Sequence, residues 1–320
     1  TKEVLIDDAA LYLRIYFLGM PAMAVYNFGN AVFSAVGNTK KPLLFLTTAG
    51  VANVVMNLFF VIVCGLGVAG VAIASAASQC ICAVLIIVSL LRSKENIAFR
   101  PHALKVSPDK ARFVLRLGIP AGFQNAIFAI ANLFIQSGVN SFDAVTVEGN
   151  SAAANSDTLV YDVMNAFYMA SFISQNMGAK KKKRMLQSYF ISLAYSFGAG
   201  AVLGLSLVVF GRQFLSLFTK DAAVMEAGMA RLRVMGFSYM VSAFMDNTIA
   251  ASRGLGKALV PTIIVILGSC VFRVVWVYTI FAYFHTIDSL YLLYVFSWTI
   301  TAVAEILYFA KSYRKLAATL

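Results

Sequence analysis

The stretch Pro42–Leu91, PLLFLTTAGVANVVMNLFFVIVCGLGVAGVAIASAASQCICAVLIIVSLL, holds no Asp, Glu, Lys or Arg. A helix crosses a bilayer's hydrocarbon core with roughly 20 apolar residues, so this run is long enough for two crossings. A soluble fold could not cover so much contiguous apolar surface. Outward from it the chain keeps the same character: 320 residues, 60% hydrophobic and 12% charged, with a mean hydropathy of +0.80. Those values do not fit the two soluble domains that length alone suggests. Gly, Pro and charge punctuation divide the chain into nine candidate spans: 9–36, 42–63, 66–91, 113–138, 144–175, 186–210, 227–252, 259–283 and 287–312. Backbone polar groups in hydrocarbon must be satisfied internally, and these spans exceed the ten or so alternating residues of a barrel strand, so they predict helices. The expected fold class is all-α, a polytopic membrane helical bundle of about nine transmembrane helices.

The net charge of +12 would suggest nucleic acid as the partner of a soluble protein. In a polytopic membrane protein it reflects Lys and Arg kept on the cytoplasmic side, so no nucleic acid is expected and the lipid bilayer is the partner. Loops placed alternately on the two sides collect 19 of the 26 basic residues on one. They are Lys40 and Lys41, the seven from Arg92 through Lys94 to Arg116, Lys180–Arg184, Arg253 and Lys257, and Lys311, Arg314 and Lys315. That side is cytoplasmic, which puts the C-terminus inside in a multi-pass cell-membrane protein. Nine crossings then put the N-terminus outside, and the chain opens Thr1-Lys2-Glu3 with neither initiator Met nor signal peptide, so an odd number of upstream helices is expected. Cys64, Cys80, Cys82 and Cys270 lie within or at the ends of apolar runs and read as small hydrophobes, with no disulfide or zinc spacing.

An internal repeat sizes the expected upstream segment. Aligning Leu13-Arg14-Ile15 with Leu232-Arg233-Val234 sets an offset of 219, which also matches Ala24 with Ala243, Ala31 with Ala250, Gly37 with Gly256 and Pro42 with Pro261. Both copies run from an apolar helix through a small-residue end and a short basic turn into a Pro that opens the next helix. The first three helices therefore correspond to the last three, and the middle three, from Phe113, have counterparts upstream of residue 1. The expected plan is two six-helix lobes: residues 1–91 as the last three helices of the N-lobe, 92–116 as a cytoplasmic linker, and 117–320 as a six-helix C-lobe.

The chain resembles the MATE (multidrug and toxic compound extrusion) transporters over essentially its whole length. The resemblance is carried by Tyr12-Leu13-Arg14-Ile15, Gly37-Asn38-Thr39-Lys40-Lys41-Pro42 and Gly65-Leu66-Gly67-Val68-Ala69-Gly70-Val71-Ala72. In the second half it rests on Leu117-Gly118-Ile119-Pro120, Ser174-Gln175-Asn176-Met177-Gly178-Ala179 and Arg253-Gly254-Leu255-Gly256 before Pro261. It implies a twelve-helix antiporter, here lacking the first three helices, that exports organic, usually cationic, compounds in exchange for Na+ or H+. Several members carry a coupling carboxylate on the first helix, outside this chain. Another branch has a Glu on the seventh, where Pro120–Phe128 here contains no acid.

Two motifs read structurally. Gly65-Leu66-Gly67-Val68-Ala69-Gly70 matches the dinucleotide fingerprint, but a membrane span precedes it and no acid follows before Glu95, so it reads as a tight extracellular turn. Lys180–Arg184 is either a topology determinant or a headgroup-binding block. The informative residues are the intramembrane acids, because a charge at the bilayer centre costs about 2.5 kcal/mol or more. Asp157 and Asp162 share the fifth span with Glu148, Asn150, Asn155 and Asn165, the most polar span and the one expected to line a water-filled cavity. Asp246, seven residues beyond Tyr239 on the same helical face, has Arg273 as its expected counter-ion, either as a functional pair or as a staple between helices. Glu305, two turns before Lys311, is expected near the interface and paired with a basic residue.

Ion coupling is accordingly assigned to Asp246, Asp157 and Asp162, with Na+ at Asp246 the one metal the reading admits and H+ the alternative. No other cofactor is expected. The substrate cavity is assigned to Tyr239, Asn155, Asn165, Met164, Tyr168 and Asn27, with Phe167, Met240 and Phe244 as further adaptable contacts. With no HExxH and no Ser-His-Asp set, the expectation is a monomeric transporter of a small molecule rather than an enzyme. A lipid-linked saccharide flippase of the same superfamily and a non-transporting scaffold are the competing readings. The flippase would need a basic cavity, to which only Arg273 reads as deep enough to contribute.

Overall fold

The structure is a computed structural model that describes residues 6–93 and 97–319; Lys94 and Glu95, and Thr1-Lys2-Glu3, lie outside the described residues. The chain forms two compact units, Thr1–Val106 and Ser107–Leu320. Among the described residues there are nine long helices, one short α-helix, the single 3-10 turn Pro101–Ala103 and no strand.

The first unit contains α1 (Ile6–Ala35), α2 (Lys40–Val63) and α3 (Gly67–Leu91). Tyr26, Phe33, Ala49, Cys82 and Ile86 form its core, and the Tyr26 hydroxyl donates to the Pro42 carbonyl at 3.1 Å, fastening α1 to the start of α2. Leu18 and Val63 are 78% and 71% exposed, apolar side chains suited to lipid or another helix rather than to water. The glycine motif is the turn between α2 and α3, with Gly65 and Gly67 both at positive φ and a helix before it where a nucleotide site needs a strand.

The second unit contains α4 (Pro108–Val139), α5 (Ala144–Asn165), α6 (Ala170–Gly178), α7 (Lys182–Leu215), α8 (Ala222–Gly254), α9 (Leu259–Phe284) and α10 (Ile287–Thr319). Residues 108–116, expected in the linker, are the first turns of α4, which Pro108 opens where its missing N–H costs no helical hydrogen bond. The expected span 144–175 is broken at Ala166–Met169, and its remainder turns away as α6. Seven of the nine long helices are apolar enough to cross a membrane by composition; α5, with Asn150 and Asp157, and α8, with Arg231 and Asp246, are more polar. Helix α8 is the hub, packed on α5, α6, α7 and α10.

The repeat is visible element by element. Under the 219-residue offset α1 falls on α8, α2 starts where α9 starts, and α3 starts within a residue of where α10 starts. Gly37 and Gly256, which match in that register, sit at φ +80° and +72°, the left-handed conformation that ends a helix and that a side chain disfavours. The π-helical turn Phe59–Val63 recurs as Val277–Phe281, one residue out of register.

Candidate functional site

Asp143 starts α5 by accepting the Thr146 amide at 2.9 Å, and the hydroxyl and amide of Thr146 hold its carboxyl below the usual carboxylate range. From that start the helix presents Asn150, Ala154, Asp157, Tyr161 and Asn165 at steps of four, three, four and four, which is one face. Gly149 lets this face close on α8: a Cβ there would stand 2.7 Å from the Gly228 amide nitrogen. Opposite, α8 carries Arg231, Met235, Tyr239 and Asp246 along one stripe.

Between these helices, α4, α9 and α10 lies a cavity of about 480 Å³ whose wall includes Asp157, Arg231, Asp246 and Arg273. Arg231 donates to Asp157 at 2.5 Å and to Asn150 at 2.9 Å. The Tyr239 hydroxyl donates to the other Asp157 oxygen at 2.6 Å, and the Tyr291 hydroxyl donates to Asn150 at 3.2 Å. Arg231 also lies over the rings of Tyr291 and Tyr294 at 5.7 and 5.5 Å. A buried charge is tolerable only when paired and hydrogen-bonded; this network pairs the two charges and bonds both Asp157 oxygens and both Arg231 Nη groups, leaving the Arg231 Nε without a partner.

The counter-ion expected for Asp246 is therefore corrected. Among the described residues the buried ion pair is Arg231–Asp157, and Arg273 is not within 4 Å of Asp246. Arg273 donates instead to Ser297 and Asn132, each at 3.3 Å, and stacks against Phe128, Tyr294 and Trp298. Arg273 is also not the one deep basic residue, since Arg231 is 4% exposed.

Of the other expected site residues, Asn165 lines the cavity and Tyr239 reaches it through Asp157. Asp162 is exposed, because five residues beyond Asp157 is about 140° round the helix. Asn155 is likewise exposed and bonds its own helix at the Ser151 and Ala152 carbonyls. Met164 is fully buried in the core, and Tyr168 is half-buried, with its hydroxyl turned toward Asp246 and Ser196. Asn27 is an exposed residue of the first unit. Glu305, expected at the interface, is fully buried, and neither of its oxygens has a hydrogen-bond partner; the cation facing it is Arg253, which donates to Gln124.

The sequence reading missed Arg231, Asn132, Tyr161, Tyr294 and Trp298. The eight-residue step from Arg231 to Tyr239 and the seven-residue step on to Asp246 were the available signal for the first. The adjacent surface residue Arg233, bonded to Glu226 at 3.1 Å, makes the segment read as a helix end.

Fold and site together define a polytopic helical membrane protein with a repeated three-helix unit, in which the second copy with α4 and α5 surrounds a charged cavity. A MatE family model matches residues 120–279, half of the chain, and the chain belongs to the MATE family. A second model, described as Lipid II flippase MurJ, matches residues 4–141. The probable multidrug resistance protein YpnP of Bacillus subtilis is 28% identical over 271 residues, covering 82% of this chain and 60% of that protein. A FAD transporter of Shewanella oneidensis is 25% identical, covering 71% and 51%. A crystal structure of a MATE protein in the bent conformation superposes with a TM-score of 0.85 at 20% identity, covering all of this chain and 72% of that one. The chain thus spans about 60% or less of the length of these two curated relatives.

Proposed function

We propose that this chain supplies the ion-coupling lobe of a secondary antiporter that exports organic, cationic or amphipathic compounds in exchange for H+ or Na+ by alternating access. The observation that carries this reading is Asp246: a carboxylate on the wall of a large internal cavity with no ion-pair partner within 4 Å. An intramembrane acid is retained at a cost, and one left without a counter-ion is free to take up a proton, a sodium ion or a cationic substrate in turn. Asp157 has a different role in this reading. It is held by Arg231 and Tyr239 and fixes α5 against α8, so that Asp246 alone exchanges charge. The likeness to YpnP, a probable multidrug resistance protein, supports organic cargo.

The protein acts as a monomer in the cell membrane with its C-terminus in the cytoplasm, and it moves cargo rather than transforming it. Reconstituted vesicles loaded with ethidium test the reading. Efflux accelerated by an inward H+ or Na+ gradient is expected, and efflux indifferent to both gradients would contradict it. The MurJ match over residues 4–141 favours a second reading, a lipid-linked saccharide flippase. Translocation of a fluorescent polyprenyl-diphosphate sugar, with no gradient-driven ethidium efflux, would establish that reading instead.

A further inference from the structure

Two charges in the cavity have no ionic partner. Asp157 and Arg231 neutralise one another, which leaves Asp246 and Arg273, both lining the cavity and more than 4 Å apart. Arg273 is 2% exposed, and a guanidinium cannot escape burial by losing its proton. Its hydrogen bonds go only to neutral acceptors, Ser297 and Asn132, both beyond the usual 2.7–3.2 Å range at 3.3 Å. The Nη2 group is buried with no hydrogen-bond partner at all. The stack of Phe128, Tyr294 and Trp298, at 4.8 to 5.7 Å, holds the plane of the guanidinium but satisfies none of its N–H groups. The residue is carried on the single α-helical stretch Phe272–Trp276 between two π-helical ones, an irregularity frequent at functional sites. A planar fork of donors fixed in orientation and short of acceptors is complementary to a carboxylate.

We propose that Arg273 receives a carboxylate of the transported compound while Asp246 faces its cationic group, so that the cavity selects amphoteric aromatic cargo over simple cations. The inference rests on the export reading and narrows its substrate class. Tyr161, Tyr294, Trp298 and Phe128 supply flat faces for the aromatic body between the two charges, and about 480 Å³ accommodates a drug-sized molecule.

The test is a matched pair of dyes. Rhodamine 110 carries a free carboxylate beside its cationic xanthene, and rhodamine 123 is its methyl ester. Fluorescence polarisation on the purified full chain is expected to show rhodamine 110 binding about tenfold or more tighter than rhodamine 123, the usual scale of a charge-assisted hydrogen bond. Arg273→Gln should abolish that preference, read as the ratio of the two dyes' affinities within the same variant. Arg273→Lys, which keeps the charge and loses the fork, should retain part of it. Equal binding of the two dyes to the wild type, tighter binding of the ester, or an undiminished preference in Arg273→Gln overturns the inference and leaves the export reading intact. Loss of both dyes in both variants assigns Arg273 to the fold and also overturns it. Binding of neither dye to the wild type counts against the export reading and the inference together.

Discussion

Helices α1–α3 and α8–α10 are built on one plan and carry different chemistry. The residues that set the plan agree: Gly37 and Gly256 end the first helix of each copy in the same left-handed conformation, and Pro42 and Pro261 lie in the first turn of the second. The residues that carry charge do not. In the 219-residue register Tyr12 is replaced by Arg231, Asn27 by Asp246, Ser34 by Arg253, Val54 by Arg273 and Ile86 by Glu305. Every ionisable group singled out on α8, α9 and α10 thus stands where the first copy has an uncharged side chain. The backbone frame, set by turns and close packing, does not require these charges. Their burial cost has to be met by partners outside the repeat, as Asn150 and Asp157 on α5 meet it for Arg231.

The comparison breaks most visibly at the Arg231–Asp157 pair. Asp157→Ala leaves a buried guanidinium without its counter-ion and is expected to destabilise the second unit by roughly 3–5 kcal/mol. Replacing both residues together, Asp157→Leu with Arg231→Met, should recover most of that loss. Thermal unfolding in detergent measures both, and a single variant as stable as the wild type would show the pair to be ornamental. In the first copy Tyr12→Phe, at the position matching Arg231, should leave unfolding unchanged.

A smaller effect is expected at Gln124, whose side-chain oxygen accepts from Arg253 at 3.1 Å and Thr262 at 3.3 Å. Gln124→Leu strands both donors and should cost about 1–3 kcal/mol. Gln124→Glu, which keeps the acceptor and adds a counter-charge for Arg253, should cost less than Leu. The reverse order, read from the same unfolding curves, would show that Arg253 does not depend on this acceptor.

The smallest effect sharpens the comparison where the copies agree. Gly37→Ala and Gly256→Ala each place a side chain in the left-handed region, at about 1–2 kcal/mol. No atom lies within 4 Å of a Cβ at Gly37, and only ordinary contact with Phe113 is met at Gly256, so the two costs should agree to within about 0.5 kcal/mol. A clear inequality between them would mean that the two turns are not the same device.

The nine long helices and the repeat were legible in the sequence because apolar length, Pro and Gly are local signals. Asp157 and Asp246 were legible as intramembrane acids, since a carboxylate within an apolar run stands out, but the depth of Glu305, close in sequence to Lys311, was not. Which helix faces which was not legible either: the sequence points to Arg273 as the counter-ion of Asp246, whereas α5 and α8 meet through Gly149 and Gly228 and bring Asp157 to Arg231 instead. The phase of α5 was equally hidden: Asp157 and Asp162 look equivalent in a polar span, and only the contact face decides that one lines the cavity and the other is exposed. The interruption at Ala166–Met169 carries neither Gly nor Pro, so nothing local announced it.

The central claim is that Asp246, the charged counterpart of Asn27, couples ion movement to export. The two side chains have nearly the same shape, so Asp246→Asn restores the first copy's solution within the second copy's frame. Proteoliposomes are made with equal amounts of folded wild type and Asp246→Asn and loaded with saturating rhodamine 123, which the variant is expected to bind more weakly because its amide lacks the charge that faces the dye's cation. The variant should lose efflux driven by either a proton or a sodium gradient, because an amide cannot change its charge. Wild-type efflux rates from Asp246→Asn under either gradient would contradict the account and reduce Asp246 to a polar contact between helices.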